Sequence, residues 1–288
     1  MGDAVAARPA TVAELERTQV ERANDSGHTP VVFIHGLWLL PSSWDNWASL
    51  FEDAGFSAVT VGWPDDPLTV AEARAHPEVF AGKTVGRIVA HVEDVVRRLK
   101  KKPVVVGHSF GGLMTQMVAG HGLSTASVAI DPAPFRGVLP LPFSALKSAS
   151  PVLLNPANRG RAVMLTYEQF RFGWTNALSE TESRSLYDTF HVPGPGAPLF
   201  QAAFANLNPG TEVKVDTGNP ARGPLLMISG GADHTVPHAI AHASYRRQRR
   251  NAGETEFFEF ANRGHSLTID AGWREVADKA LTFVKRFA

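Results

Sequence analysis

Pro103-Val104-Val105-Val106-Gly107-His108-Ser109-Phe110-Gly111-Gly112 is the stretch from which the rest of the chain can be read. Three consecutive valines make a short apolar, β-branched run, the pattern of a strand covered on both faces. Leu113 to His121 then continues as a helix. Between the two stands Gly107-His108-Ser109-Phe110-Gly111, a G-x-S-x-G pattern at a strand-to-helix turn. A serine on so sharp a turn is held in a strained backbone conformation, and only small neighbours tolerate the approach of strand to helix. Gly107, Gly111 and Gly112 supply that room. The plain alternative is a glycine-rich turn whose serine caps the helix.

Working outward, the same order repeats. Apolar strand-like runs occur at 31–35 (VVFIH), 56–61 (FSAVTV), 127–131 (SVAID), 224–230 (PLLMISG) and 255–260 (TEFFEF). Helical spacing is found over 43–54, 83–101, 238–250 and 270–287. Strands separated by helices imply right-handed crossovers and a mainly parallel sheet covered on both faces. From Asp131 to Pro224 the alternation fails, over a length that no ordinary connection needs. Prolines punctuate this segment, and helix-like pieces occupy 167–178, 179–191 and 199–207, with Ser179 and Glu182 spaced as a capping box. An inserted helical cap is expected. The division predicted is an N-terminal extension (1–30), a core (31–133 and 223–288) and a cap (134–222). Residues 11–23 of the extension have the pattern of a short amphipathic helix. Whether it folds over the body, joins two copies as a homodimer or stays mobile is left open.

Of 288 residues, 44% are hydrophobic and 19% charged, a globular composition. Lys plus Arg and Asp plus Glu number 28 each, so no net field favours nucleic acid or an anionic membrane. The chain has no cysteine, which excludes disulfides, thiolate nucleophiles and cysteine-ligated metals. No leader-like apolar region is read in residues 1–24, Ala6 stands where a myristoylation signal wants Ser or Thr, and no run suits a membrane span. The expectation is a cytoplasmic protein with a small-molecule substrate and neither nucleic-acid nor membrane partners.

A serine hydroxyl becomes a useful nucleophile when a base takes its proton. His265, in Asn262-Arg263-Gly264-His265-Ser266, follows a strand in a loop before the last helix, where α/β proteins assemble their sites. His108 adjoins Ser109 and is expected to pack locally. His234 and His238 lack the glutamate of a metal-binding helix motif, and no metal site is expected. The imidazole needs a carboxylate to hold its tautomer. Asp233, after strand 224–229, gives the order Ser109, Asp233, His265, with Asp131 as its rival and Asp270 as the expected cap of the last helix. An oxyanion needs two N–H donors. The backbone of Phe110 is one, and Leu37, after His35-Gly36, is the other, with Trp38 the second choice. His35 is expected to brace this loop.

These motifs together resemble an α/β-hydrolase with a helical cap over residues 30–288. H-G-L-W (35–38), G-H-S-F-G-G (107–112), G-G-A-D-H-T-V-P (230–237) and R-G-H-S (263–266) carry the resemblance. It is similar to the serine esterase, C–C hydrolase and cofactor-free haloperoxidase branches. Ser109 separates it from branches with aspartate at the elbow. The chain departs from the usual pattern in lacking two strands before Val31, so a mainly parallel sheet of about six to eight strands flanked by helices is expected, with six favoured over the usual eight. The implied activity is hydrolysis of a small to medium apolar ester through an acyl-enzyme, without a cofactor. The alternatives are C–C cleavage or perhydrolysis on the same triad, a dioxygenase-like reaction, or a receptor. Expected substrate contacts are Trp38, Phe135, Leu139, Phe143, Trp174, Phe200, Val236 and Leu267.

Overall fold

A computed structural model describes residues 11–288; the readings made on Gly2 and Ala6 lie outside them. Six strands form one sheet: β1 (Thr29–Ile34), β2 (Phe56–Val61), β3 (Val104–His108), β4 (Ala126–Ile130), β5 (Leu225–Gly230) and β6 (Thr255–Phe260). Their spatial order is β2-β1-β3-β4-β5-β6, and every neighbouring pair is parallel. The register sets the valines of β3 beside those of β1, Val31 against Val104 and Val32 against Val105. Because side chains alternate across a strand, each run feeds two cores at once. Val31 and Phe33 of β1 face Trp44, Trp47 and Phe51, while Val32 and Ile34 face the opposite layer with Ile88, Val92 and Leu113.

The first layer is built by α2 (Asp45–Asp53) and α11 (Trp273–Val284); the second by α4 (Val85–Arg97) and α5 (Phe110–Gly120). A short α3 (Val70–Ala75) precedes α4, and α10 (His238–Gln248) links β5 to β6. Between β4 and β5 come α6 (Phe143–Leu153), α7 (Tyr167–Gly173), α8 (Glu180–Phe190) and α9 (Ala197–Phe204), which form the inserted cap. The opposite core runs on into this cap through Phe135, Phe170 and Trp174.

Several elements depart in detail from the sequence reading. The helix predicted from Ser43 starts as a tight turn over Pro41–Trp44 and becomes α-helical at Asp45. Helix α6 went unpredicted because Pro142 stands at its start and Pro151 lies inside it. Ser179 accepts from the Glu182 N–H, but the Glu182 carboxylate is used elsewhere, accepting from Ala271 N–H at 2.8 Å. Asp270 does not cap the last helix, whose N-cap is Gly272; it is buried, bonded to Gly272 N–H and paired with Arg263.

The N-terminal helix α1 (Val12–Ser26), capped by Thr11, lies along the free side of β2. Three of its side chains, roughly a turn apart, reach every second residue of that side. Glu16 Oε1 accepts from Gly62 N–H at 2.9 Å, and Gln19 Oε1 accepts from Thr60 N–H at 2.9 Å. Arg22 donates to Ala58 O at 3.0 Å. An open strand edge carries unpaired N–H and C=O groups that another chain could adopt. Here a helix covers that edge where further strands would otherwise continue the sheet. No helix among the described residues is long and apolar enough to cross a membrane.

Candidate active site

In a parallel sheet all strands point the same way, so the loops after them gather at one edge. Ser109 follows β3, Asp131 follows β4, Asp233 lies in the loop after β5 and His265 in the loop after β6. Gly36 and Leu37 follow β1 at the same edge. Residues scattered over more than two hundred positions are thereby brought to one side of the molecule.

Ser109 has φ 57° and ψ −119°, a left-handed conformation costly for any side chain. It stands at the N-cap position of α5 yet makes no side-chain cap bond. The turn is so tight that a Cβ on Gly107 would lie 2.2 Å from Gly111 O, and one on Gly111 would lie 2.0 Å from Ile34 O. The loop after β1 presses on the same spot: a Cβ on Gly36 would stand 2.9 Å from Ser109 Cβ.

His265 is fully buried, and its Nδ1–H donates to Asp233 Oδ2 at 2.6 Å. The other oxygen of Asp233 accepts from the N–H groups of Thr235 and Val236, at 2.6 and 2.9 Å. With Nδ1 tied to a carboxylate, the imidazole presents Nε2 as its remaining nitrogen. That atom is buried and has no hydrogen-bond partner among the described residues. Trp174 packs edge-on against the His265 ring at 4.6 Å between centroids, and Trp174 O accepts from Ser266 N–H at 3.1 Å. From the other side of the sheet, the Trp47 indole N–H donates to Thr268 O at 2.9 Å. The loop carrying the histidine is thus pinned from both layers.

His108 also packs against His265, with ring centroids 4.6 Å apart. Burial and the neighbouring imidazole push its pKa well below 6.5, so it stays neutral. His35 braces the loop after β1, its ring nitrogens facing Gly36 O at 2.9 Å and Asp66 Oδ2 at 3.0 Å. Asp66 in turn accepts from buried Lys83 at 2.8 Å. Neither Asp66 nor Lys83 carried any motif signal, since both are distant in sequence from the glycine loop they support.

A model of the alpha/beta hydrolase family matches residues 31–279. The chain belongs to that family. Among solved structures the hydrolase is similar to a monoacylglycerol lipase from Paleococcus ferrophilus, at 18% identity and TM-score 0.62, over 90% of this chain and 95% of that one. It is similar to an extracellular α/β-hydrolase from a Paenibacillus species described as sharing homology with tobacco salicylic acid binding protein 2 (21%, TM-score 0.63, 88% and 98%). Polyneuridine aldehyde esterase is a third (19%, TM-score 0.62, 89% and 99%). At these identities the likeness is one of fold. No curated protein matches the chain significantly.

An apolar cavity of about 210 Å³ opens at Ser109 and Phe110, between the sheet edge and the cap. Its wall is mostly aliphatic and small: Val138, Leu146 and Leu153, with Ala145, Ala149 and Ala202 of α6 and α9. Of the expected substrate contacts, Phe135, Leu139 and Val236 line this cavity. The others lie elsewhere. Phe143 is 78% exposed, and Leu267 sits in the core beneath α11. Phe200 lines a separate surface hollow with Arg159 and Glu212. Trp38 has φ 67° and donates its indole N–H to Val163 O in the cap at 2.9 Å. Trp174 is the wedge against His265. Two of the five aromatics, Trp38 and Trp174, thus make contacts that tie the cap to the core.

His108, Asp131 and His265 are the one group among the described residues whose ligand atoms come close enough to consider for a metal, all within 4.8 Å of one another. His265 has already committed Nδ1 to Asp233.

Proposed function

We propose that the protein is a serine hydrolase that cleaves small to medium apolar carboxylic esters through an acyl-enzyme. The observation that carries this reading is the pairing of two features: a strained serine at the floor of an apolar cavity, and a buried histidine locked to a carboxylate at the same sheet edge. Ser109 Oγ attacks the ester carbonyl while His265 Nε2 takes its proton. Asp233 holds the ring in the tautomer that leaves Nε2 free and balances the imidazolium that forms. His265 then returns the proton to the leaving alcohol, and water activated by the same nitrogen releases the acid. Ser109 and His265 are not hydrogen-bonded in this structure, and such bonds commonly close only around substrate.

The tetrahedral oxyanion is assigned to the N–H groups of Phe110 and Leu37. Phe110 is the first residue of α5, so its N–H has no intrahelical acceptor. Leu37 follows the glycine that sits against Ser109. Two such donors each lower the barrier by about 3 kcal/mol. Among the described residues the cavity wall carries no lysine or arginine, which suits an uncharged acyl chain. Ester hydrolysis is also what the names of two of the related proteins describe.

The test is labelling with a fluorophosphonate together with turnover of p-nitrophenyl esters. Ser109→Ala abolishes labelling and lowers kcat by about six orders of magnitude, with little change in thermal stability. Turnover surviving in the variant would refute the covalent route. A ring-fission diketone run in parallel separates ester from C–C cleavage.

A further inference from the structure

Asp131 is not used by the mechanism above, yet it is built into the same cluster. It is the first residue past β4, is fully buried, and has φ 39°, a left-handed conformation unusual for a side-chain-bearing residue. Strain of this kind persists where surrounding contacts hold it. Its backbone N–H bonds Ile228 O at 2.8 Å, and its Oδ1 accepts from Gly230 N–H at 2.7 Å. Its Oδ2 is buried and has no donor among the described residues. A carboxylate oxygen in that state would be an expensive orphan.

The groups facing Asp131 are Asp233 from the loop after β5, His265 from the loop after β6, and His108 from the end of β3. Two adjacent buried carboxyls cannot both ionise, and the donors around each decide which one keeps the charge. Asp233 accepts three hydrogen bonds, from Thr235, Val236 and His265; Asp131 accepts one. Burial first, and the Asp233 charge second, push Asp131 well above the usual carboxylate range. His108 is neutral and supplies no compensating charge.

We propose that Asp131 is a positioning residue: its Oδ2 carries a hydrogen that it donates to Asp233, fixing the carboxylate on which His265 rests. The orphan oxygen is then an O–H donor. The arrangement leaves one negative charge beside the imidazole where two carboxylates would have left a pair, and it adds a donor to Asp233 beyond the Thr235 and Val236 amides. The role depends on Asp233 and His265 being the catalytic pair of the proposed hydrolase; the protonation itself does not.

Two measurements separate those parts. The first is the infrared difference spectrum at neutral pH between the full-length protein and Asp131→Asn. A protonated-carboxyl C=O band present in the former and lost in the latter is expected, and its absence from the unsubstituted protein would overturn the proposal whatever the substrate. The second is the pH profile of kcat/KM on p-nitrophenyl butyrate for Asp131→Asn and Asp131→Leu. The asparagine amide donates in place of the hydroxyl, so activity stays within about threefold and the acid limb does not move. Leucine donates nothing; activity falls about tenfold and the acid limb shifts to higher pH as Asp233 becomes more basic toward His265. Should Asp131→Leu fail to fold, the asparagine variant and the infrared band still decide. An asparagine variant as inactive as Asp233→Asn would make Asp131 an ionised catalytic acid and overturn the proposal. An acid limb unmoved in a folded leucine variant would reduce it to packing.

Discussion

The aliphatic wall between α6 and α9 makes a quantitative demand on substrate preference. Each methylene moved from water into such a wall is worth about 0.8 kcal/mol, or about fourfold in kcat/KM when the contact persists in the transition state. Passing from p-nitrophenyl acetate to the valerate adds three methylenes. The expected gain is therefore about 2.4 kcal/mol, or about sixtyfold, until the cavity of about 210 Å³ is filled. Ala145 is buried in that wall on α6. Ala145→Phe puts a ring where the distal carbons would lie, so the valerate-to-acetate ratio collapses toward one while the acetate rate changes by less than about threefold. Initial rates well below KM across the acyl series, with thermal unfolding as a control on folding, make the measurement. A flat series in the unsubstituted protein, or an intact slope in Ala145→Phe, would refute the assignment of this cavity to the acyl chain.

Three further outcomes test the scaffold. Burial first, with Arg74 adding to it, pushes His191 down from 6.5 to about 3, and its Nε2 accepts from Leu165 N–H at 3.2 Å. The unfolded chain binds that proton near pH 6.5 and the folded one resists, so the contribution is complete above pH 6.5 and is lost as pH falls toward 3. Urea unfolding should lose on the order of 2 kcal/mol from this group at pH 5, a loss absent in His191→Gln. Gly111→Ala should destabilise by about 3 kcal/mol or prevent folding, because its methyl meets the Ile34 carbonyl at 2.0 Å; circular dichroism on the purified variant reads this. Replacing Glu16, Gln19 and Arg22 together by alanine should cost at least about 3 kcal/mol in urea unfolding, at about 1 kcal/mol for each bond to the backbone of the β2 edge, and raise the aggregated fraction in light scattering.

The sheet was legible because both of its faces are covered: β1, β3, β4 and β5 are continuous apolar runs that no surface element could afford. The meeting of Ser109, Asp233 and His265 at one sheet edge could be expected because each stands in a loop after a strand with glycine beside it: Ser109 and Asp233 after apolar runs, and His265 after the half-exposed β6. What escaped notice depends on long-range contacts. Asp66 and Lys83 support the Gly36 loop from positions with no local pattern. Helix α6 hid behind Pro142 and Pro151. Asp131 was read as a competitor of Asp233, whereas the fold puts both carboxyls side by side. Of the cavity wall, Phe135, Leu139 and Val236 could be named from the sequence, whereas the alanines of α6 and α9 carry no signal of their own. Helix α1 was read by its apolar side, while its polar residues Glu16, Gln19 and Arg22 make the contacts that matter to β2.

That helix has one more consequence. With β2 covered by α1, a strand offered to the sheet from outside finds, among the described residues, one open margin, β6, which pairs there only with β5. Any ribbon linking two copies edge to edge would have to begin there, and would grow from one flank rather than spreading from both.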